Sequence, residues 1–258
     1  MKVALVTGAS SGLGADFARE LAAKKFDLII TARRKDRLEK LRIEIESEFN
    51  VKVDICVADL STPKGVQKII NKIKKDEIEV HTLINNAGLG YQATFAEKEI
   101  EDWETLIQVN VNSLIALTNY FVKPMLARKK GAILNVASVA GFQAIPWFSV
   151  YAASKAFVLS FTEGLAKELA GSGVKISALC PGPTKTEFAQ VSGSLHMKAP
   201  DLIWQSSKEV ASSGLKALEN NDTVYVPGAL NKVQIYGQRL LPRTIVNTIS
   251  SMFFKPKE

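Results

Sequence analysis

Short apolar runs alternate with longer amphipathic ones along this chain. The short runs are rich in β-branched residues and are bounded by Gly, Pro, Asn, Asp or a charged stretch, the pattern of buried strands. They fall at Lys2–Val6, Asp27–Thr31, Lys52–Val57, Thr82–Asn85, Ala132–Val136, Lys175–Leu179 and Thr223–Val226. Between them, apolar residues recur at helical spacing. The first such stretch runs over Gly12–Lys24, with Leu13, Phe17 and Leu21 on one face. The others are Lys35–Phe49, Pro63–Lys75, Glu101–Ala127, Tyr151–Ala170 and Ser206–Glu219. Strands separated by crossover helices must run parallel. Near-continuous apolar strands such as Ala132-Ile133-Leu134-Asn135-Val136 fit a sheet covered on both faces. The expected fold is α/β: a doubly wound parallel sheet of seven strands, whose ligands bind beyond the C-terminal strand ends.

No repeat, low-complexity tract or linker divides the chain, so one domain is expected over residues 1–258. Two parts stand out within it. The stretch from Thr184 to Trp204 is irregular, with Gly193 and Pro200, and reads as a substrate lid. After Pro227-Gly228 comes a C-terminal tail, 229–258, expected to be an extended helix interrupted near Pro242.

The composition, 47% hydrophobic and 23% charged over 258 residues, suits a large buried core. The net charge of +7 admits a nucleic acid, an anionic surface or a polyanionic cofactor as partner. The cations are scattered and no nucleic-acid motif is present. Cys56 and Cys180 lie in apolar runs and read as buried thiols, not a disulfide framework. The two histidines, His81 and His196, stand apart, so no metal site is expected. No signal-like N-terminus or membrane-spanning run is seen, and a cytoplasmic protein is expected. The apolar pairs Leu240-Leu241 and Phe253-Phe254 of the tail are expected to pack on the body or on a partner subunit rather than on a membrane.

The first strand ends in Thr7-Gly8-Ala9-Ser10-Ser11-Gly12-Leu13-Gly14, and a helix follows. Gly8, Gly12 and Gly14 allow a tight turn and close backbone approach to a pyrophosphate, which the helix N-terminus attracts. Set between the first strand and first helix, this loop predicts a dinucleotide-binding Rossmann fold. The second strand ends Ile30-Thr31-Ala32-Arg33-Arg34. An NAD-preferring site usually carries an acid there for the ribose 2′-hydroxyl. Ala32 stands in that place, and Arg33, with Ser10 and secondarily Arg34, can bind a 2′-phosphate. NADPH/NADP+ is the expected cofactor.

Tyr151-Ala152-Ala153-Ser154-Lys155 places a phenol and an ammonium four residues apart on one helix face. A nearby cation favours phenolate and is expected to lower the tyrosine pKa toward the working range. Alone this spacing is weak. Its company strengthens it: Ser138 follows the fifth strand and can hold a substrate oxygen, and Asn110 follows the fourth strand and can hold water or backbone in a proton relay.

Taken together, these residues resemble the short-chain dehydrogenases/reductases over about residues 2–228, in particular the NADPH-preferring branch. The resemblance rests on Thr7–Gly14, Asp59-Leu60, Asn85-Asn86-Ala87-Gly88, Asn110, Ser138, Tyr151, Lys155 and Pro181-Gly182, all in the family's order. It implies that Ser11, Gly12, Leu13 and Gly14 hold the pyrophosphate side. Asp59 and Leu60 would meet adenine, and Asn86, Ala87 and Gly88 the adenosine ribose, with Asn85 bracing the sheet. Pro181, Gly182 and Thr184 would embrace the nicotinamide, and Lys155 its ribose. It also implies a homodimer or homotetramer, although the tail departs from the shortest members.

The expected activity is hydride transfer between NADP(H) and a carbonyl or secondary alcohol, with Tyr151 as acid/base. Aromatic residues in the expected pocket walls (Leu89–Phe95, Ala140–Phe148 and the lid) suggest an apolar substrate. They are Tyr91, Phe95, Phe142, Trp147, Phe148, Phe188 and Trp204, and the same rings could equally be core. A 3-oxoacyl thioester or a steroid stays open as substrate, and so does a non-catalytic NADP(H)-sensing or scaffolding role.

Overall fold

Val3–Thr7 (β1) is apolar in sequence because it is covered on both sides. Ala4 and Val6 pack into one hydrophobic cluster, and Leu5 points into the other. The same two-residue alternation sorts Leu28 and Ile30 from Ile29 on the neighbouring strand. Each buried Leu or Ile contributes about 1.5–3 kcal/mol over its exposed state, so a shift of register by one residue would be strongly unfavourable. The computed structural model describes residues 2–193 and 204–254.

The strands are β1, β2 (Asp27–Ala32), β3 (Val53–Val57), β4 (Val80–Asn85), β5 (Gly131–Val136), β6 (Val174–Leu179) and, numbered after two short strands given below, β9 (Val224–Tyr225). They form a seven-stranded parallel sheet in the order β3-β2-β1-β4-β5-β6-β9. The expected doubly wound Rossmann-like sheet is therefore observed. Its order turns at β1 and β4: the chain winds outward through β2 and β3, then returns to β4 and winds the other way. The crevice at that reversal lies between the loops that leave β1 and β4.

Helices α1 (Gly12–Ala23) and α2 (Lys35–Phe49) cover one face, and α3 (Pro63–Lys75) the other. Thr62 caps α3 by accepting from the Gly65 N–H at 3.3 Å, and Pro63 opens the helix where no donor is needed. α2 stops at Asn50, which takes a left-handed conformation with φ 52°.

The expected single helix Glu101–Ala127 is divided. α4 spans Ile100–Ile107, a π-helical turn covers Gln108–Asn112, and α5 runs over Ser113–Ala127. Such a widened turn adds a residue to the turn and re-aims its side chains, and it carries Asn110. α6 spans Ser149–Glu168, so the helix of Tyr151 begins two residues earlier than its sequence pattern suggests.

Thr184–Lys185 (β7) pairs in parallel with Gln205–Ser206 (β8), and the short helix α7 covers Phe188–Val191. The rest of the expected lid, 194–203, lies outside the described residues. α8 (Ser207–Asn220) opens on Ser206, whose Oγ accepts from the Glu209 N–H at 3.2 Å, and packs beside α1. The tail forms α9 (Ala229–Gly237), a single 3-10 turn at Gln238–Leu240, and α10 (Arg243–Phe254), broken at Pro242 as expected.

Candidate active site

Thr7 ties the two crevice loops together. Its Oγ1 donates to the Ile84 carbonyl and accepts from the N–H groups of Asn86 and Ala87, both at 3.0 Å. Asn86 Nδ2 in turn donates to the Thr7 carbonyl at 2.9 Å. The glycine loop rests against this clamp. Gly8 has φ 67° and Gly12 φ 52°, conformations that glycine adopts without strain. Gly14 fits for a second reason: a Cβ there would stand 2.3 Å from the Gly8 carbonyl oxygen and 2.6 Å from Asn86 Nδ2. Ser11, the N-cap of α1, makes no side-chain capping bond, and among the described residues no side chain accepts from the first-turn N–H groups.

One cavity of about 880 Å³ runs from this loop to the C-terminal helices. Of the expected residues, Gly8, Ser10, Ser11, Gly12, Leu13, Arg33, Arg34, Asp59, Leu60, Asn86, Ala87, Gly88, Ser138, Tyr151, Lys155, Pro181, Gly182 and Thr184 all line it. Gly14 packs behind the loop, and Asn110 stands behind the wall.

The two arginines differ. Arg34 donates to Ser10 Oγ at 3.0 Å and Ser11 Oγ at 2.8 Å, and pairs with Glu187 at 3.0 Å. Arg37 also pairs with Glu187, at 2.5 Å, and the two guanidinium groups hold its carboxyl below the usual range. Arg33 has no such partner among the described residues, so its guanidinium is unclaimed at the cavity wall.

At the other end, Tyr151 and Lys155 are both buried on α6. Lys155 Nζ donates to the Val136 carbonyl at 2.8 Å and lies 5.7 Å from the Tyr151 ring centroid. Burial pushes the Lys155 pKa down to about 8, because the charged form is poorly solvated there. Burial also pushes Tyr151 up to about 12, and its hydrogen bond with Ser138 pulls it partly back. The expectation that Lys155 lowers the tyrosine pKa is thus corrected: desolvation dominates, and the group that opposes it is Ser138. Ser138 itself caps a 3-10 turn, its Oγ accepting from the Ala140 N–H at 3.1 Å. The cap fixes the hydroxyl in place beside the phenol.

Asn110 is a brace. Its Oδ1 accepts from the Leu89 N–H at 2.8 Å, and its Nδ2 donates to the Leu89 carbonyl and to Ser154 Oγ, both at 2.9 Å. Both amide hydrogens are spent on protein partners, so a water-holding role for the side chain falls to the remaining lone pair of Oδ1. Asn85 braces the sheet as expected, donating to Thr118 Oγ1 at 3.0 Å and Asn135 Oδ1 at 2.9 Å.

The expected aromatic wall is only partly present. Phe148 lies 4.4 Å and Phe188 5.4 Å from Tyr151 between centroids, and Trp204 lines the cavity. Tyr91 and Phe95 instead pack on Trp103, at 5.9 and 5.6 Å. Phe142 packs against the cluster containing Cys180 and Ile235. Trp147 is held at φ 59° with its carbonyl accepting from the Ala93 N–H. None of these four lines the cavity.

The wall missed in the sequence comes from the tail. Leu241, Val246, Ile249, Phe253 and Phe254 line the cavity as well. Gln92 Nε2 donates to the Phe254 carbonyl at 2.7 Å, and the Phe254 ring stacks 6.2 Å from Phe148. Its signal was the apolar spacing of the tail; nothing in the sequence said which surface it covered.

A family model described as short chain dehydrogenase matches residues 2–194. Sulfoacetaldehyde reductase 2 of Chromohalobacter salexigens is 35% identical over 218 residues, 84% of this chain and 86% of that one. The NADP-dependent 3-hydroxy acid dehydrogenase of Schizosaccharomyces pombe is 33% identical over 236 residues, 89% of this chain and 91% of that one. Among solved structures, a short-chain dehydrogenase from Sphingobium yanoikuyae in complex with NADPH superimposes with a TM-score of 0.85, at 30% identity, covering 95% of each chain. The chain belongs to the short-chain dehydrogenase/reductase family, whose members are NAD(P)-dependent oxidoreductases.

Proposed function

We propose that this protein is an NADP(H)-dependent reductase of neutral, apolar carbonyl compounds, equally able in principle to oxidise the matching secondary alcohol. The observation that carries the reading is the shared cavity: the glycine loop and Arg33 line one end, and Ser138, Tyr151 and Lys155 line the other. The NADPH complex of the Sphingobium yanoikuyae relative supports the cofactor.

The residues present fit NADP(H). The uncapped α1 N-terminus and glycine loop suit the pyrophosphate, and the unclaimed Arg33 guanidinium suits a 2′-phosphate. Asp59 and Leu60 would flank adenine, and Pro181, Gly182 and Thr184 the nicotinamide. When bound, the cofactor supplies or accepts the hydride.

The proton belongs to this chain. Ser138 holds the substrate oxygen beside the Tyr151 phenol. With a pKa near 12, Tyr151 keeps its proton at neutral pH and can deliver it to the oxygen as charge develops there. Ser138 steadies the phenolate left behind, and the Lys155 ammonium restrains the cofactor ribose. Asn110 keeps Leu89 and α6 in fixed relation.

The substrate end favours neutral compounds. Arg33, Arg34 and Lys155 are the cations among the described lining residues, and none of them belongs to the tail-built wall. A sulfonate or carboxylate placed there would lose its hydration with no counter-charge in return. Apolar ketones, including a steroid or the acyl part of a 3-oxoacyl thioester, meet Phe148, Phe188 and the tail instead. The test is a carbonyl panel with NADPH and NADH side by side. The reading expects NADPH oxidation with bulky apolar ketones and little with sulfoacetaldehyde; preference for the anionic substrate would overturn it.

A further inference from the structure

The segment 223–254 carries Lys232, Arg239 and Arg243 and no acidic residue. None of the three forms an ion pair among the described residues. Lys232 and Arg239 lie instead over the rings of Tyr225 and Tyr236, at 5.2 and 5.5 Å.

Burial alternates along both tail helices. On α9, Asn231 and Ile235 turn inward while Leu230, Val233 and Tyr236 turn out, and Leu240 just beyond is 88% exposed. On α10, Val246, Ser250 and Phe254 face the body. Ile245, Ile249, Met252 and Phe253 are exposed, and their spacing of four, three and one puts them on one stripe. Scattered apolar side chains on a surface are ordinary, but two successive helices with exposed apolar stripes mark an interaction surface. Val233, Leu241, Ile249 and Phe253 are 69, 45, 44 and 46% exposed and also line the cavity, so they form its rim.

We propose that the α9–α10 face docks on an anionic lipid bilayer, with its apolar stripes in the headgroup–acyl boundary and Lys232, Arg239 and Arg243 against lipid phosphates. Charge selects this occupant. A second copy meeting this face symmetrically would set cations against cations, with no acid on either side to pair them. Anionic lipid supplies the missing charge, and acyl chains cover the exposed Ile, Leu, Met and Phe. No helix among the described residues is long and apolar enough to cross a membrane, so α10 would lie in the interface plane. One consequence rests on the reading of the active site given above: an apolar carbonyl compound dissolved in lipid would enter the cavity through its rim without crossing water. The docking itself does not depend on that reading.

The test is sedimentation of the full chain with vesicles of phosphatidylcholine alone or mixed with phosphatidylglycerol. Wild type is expected to pellet with the anionic vesicles at least about tenfold more than with the neutral ones, and to be released by salt. Leu240→Glu combined with Met252→Glu, at exposed positions outside the cavity lining, should remove the binding while leaving the melting temperature unchanged. Arg239→Glu with Arg243→Glu should do the same. Failure of wild type to pellet on anionic vesicles would overturn the proposal, as would binding that both double variants retain. Self-association of wild type that Leu240→Glu/Met252→Glu abolishes, without vesicle binding, would assign the face to a second copy and equally overturn it.

Discussion

Asn110 Nδ2 and Ser154 Oγ are joined at 2.9 Å, and Ser154 Oγ donates to the Tyr151 carbonyl at 2.7 Å. With the two bonds from Asn110 to Leu89, this ties the loop after β4 to the first turns of α6. The Tyr151 helix therefore cannot shift independently of the loop on the cofactor side.

Replacing Asn110 by Ala removes one buried and two partly buried hydrogen bonds and leaves Leu89 and Ser154 short of partners. The expected loss is about 1–3 kcal/mol for each group left unsatisfied, read as a lower melting temperature. In the positioning role proposed for Asn110, its loss should lower turnover with little change in NADPH affinity. An equal loss in cofactor binding would contradict this role.

Arg33→Ala should raise the Michaelis constant for NADPH and leave that for NADH nearly unchanged. Charge-assisted bonds of this kind are worth about 1.5–3 kcal/mol, or roughly 10- to 100-fold. Glu187→Gln should act in the opposite direction, releasing Arg34 and Arg37 toward the 2′-phosphate. Steady-state kinetics with both cofactors checks the pair.

The proposed mechanism uses a protonated Tyr151 phenol and a charged Lys155 at the cofactor ribose. Tyr151, near 12, meets the first condition across the neutral range, and Lys155, near 8, meets the second only below that value. The rate of carbonyl reduction should be level below about pH 8 and fall above it as the ammonium loses its proton. Lys155→Arg, whose charge persists to higher pH, should flatten that limb at a lower rate. A wild-type profile flat to pH 10 would contradict the assignment.

Phe254 closes the cavity from the tail while its carbonyl is held by Gln92. Phe254→Ala keeps that backbone bond and removes the ring. Bulky ketones should lose about 1–3 kcal/mol of binding to the emptied wall, and small ketones much less. Competitive kinetics with a large and a small ketone measures the difference.

The sheet was legible because Leu5, Ile29 and Leu83 repeat one pattern: an apolar strand ended by a polar or glycine-rich loop. The glycine loop and Tyr151–Lys155 were legible because local spacing alone sets their geometry. Interactions between distant segments were not. The break at Gln108–Asn112 was hidden because the stretches on either side each keep helical spacing and no Gly or Pro marks the widened turn between them. The partition of the aromatics, with Phe148 in the cavity and Tyr91 on Trp103, depends on packing across 12 or more residues. The fold of the tail over the cavity depends on the Gln92–Phe254 contact, 162 residues apart in sequence. The direction of the Tyr151 shift depends on burial, which spacing does not reveal.

The most direct measurement is Tyr151→Phe, with NADPH binding and carbonyl reduction followed on the same preparation. The phenol's ring packs against Phe148 and Phe188, and Phe preserves that packing while removing the proton. NADPH affinity should hold, and turnover of the best ketone should fall by about 10²- to 10⁴-fold. A variant that binds NADPH and reduces the ketone at the wild-type rate would contradict the central claim.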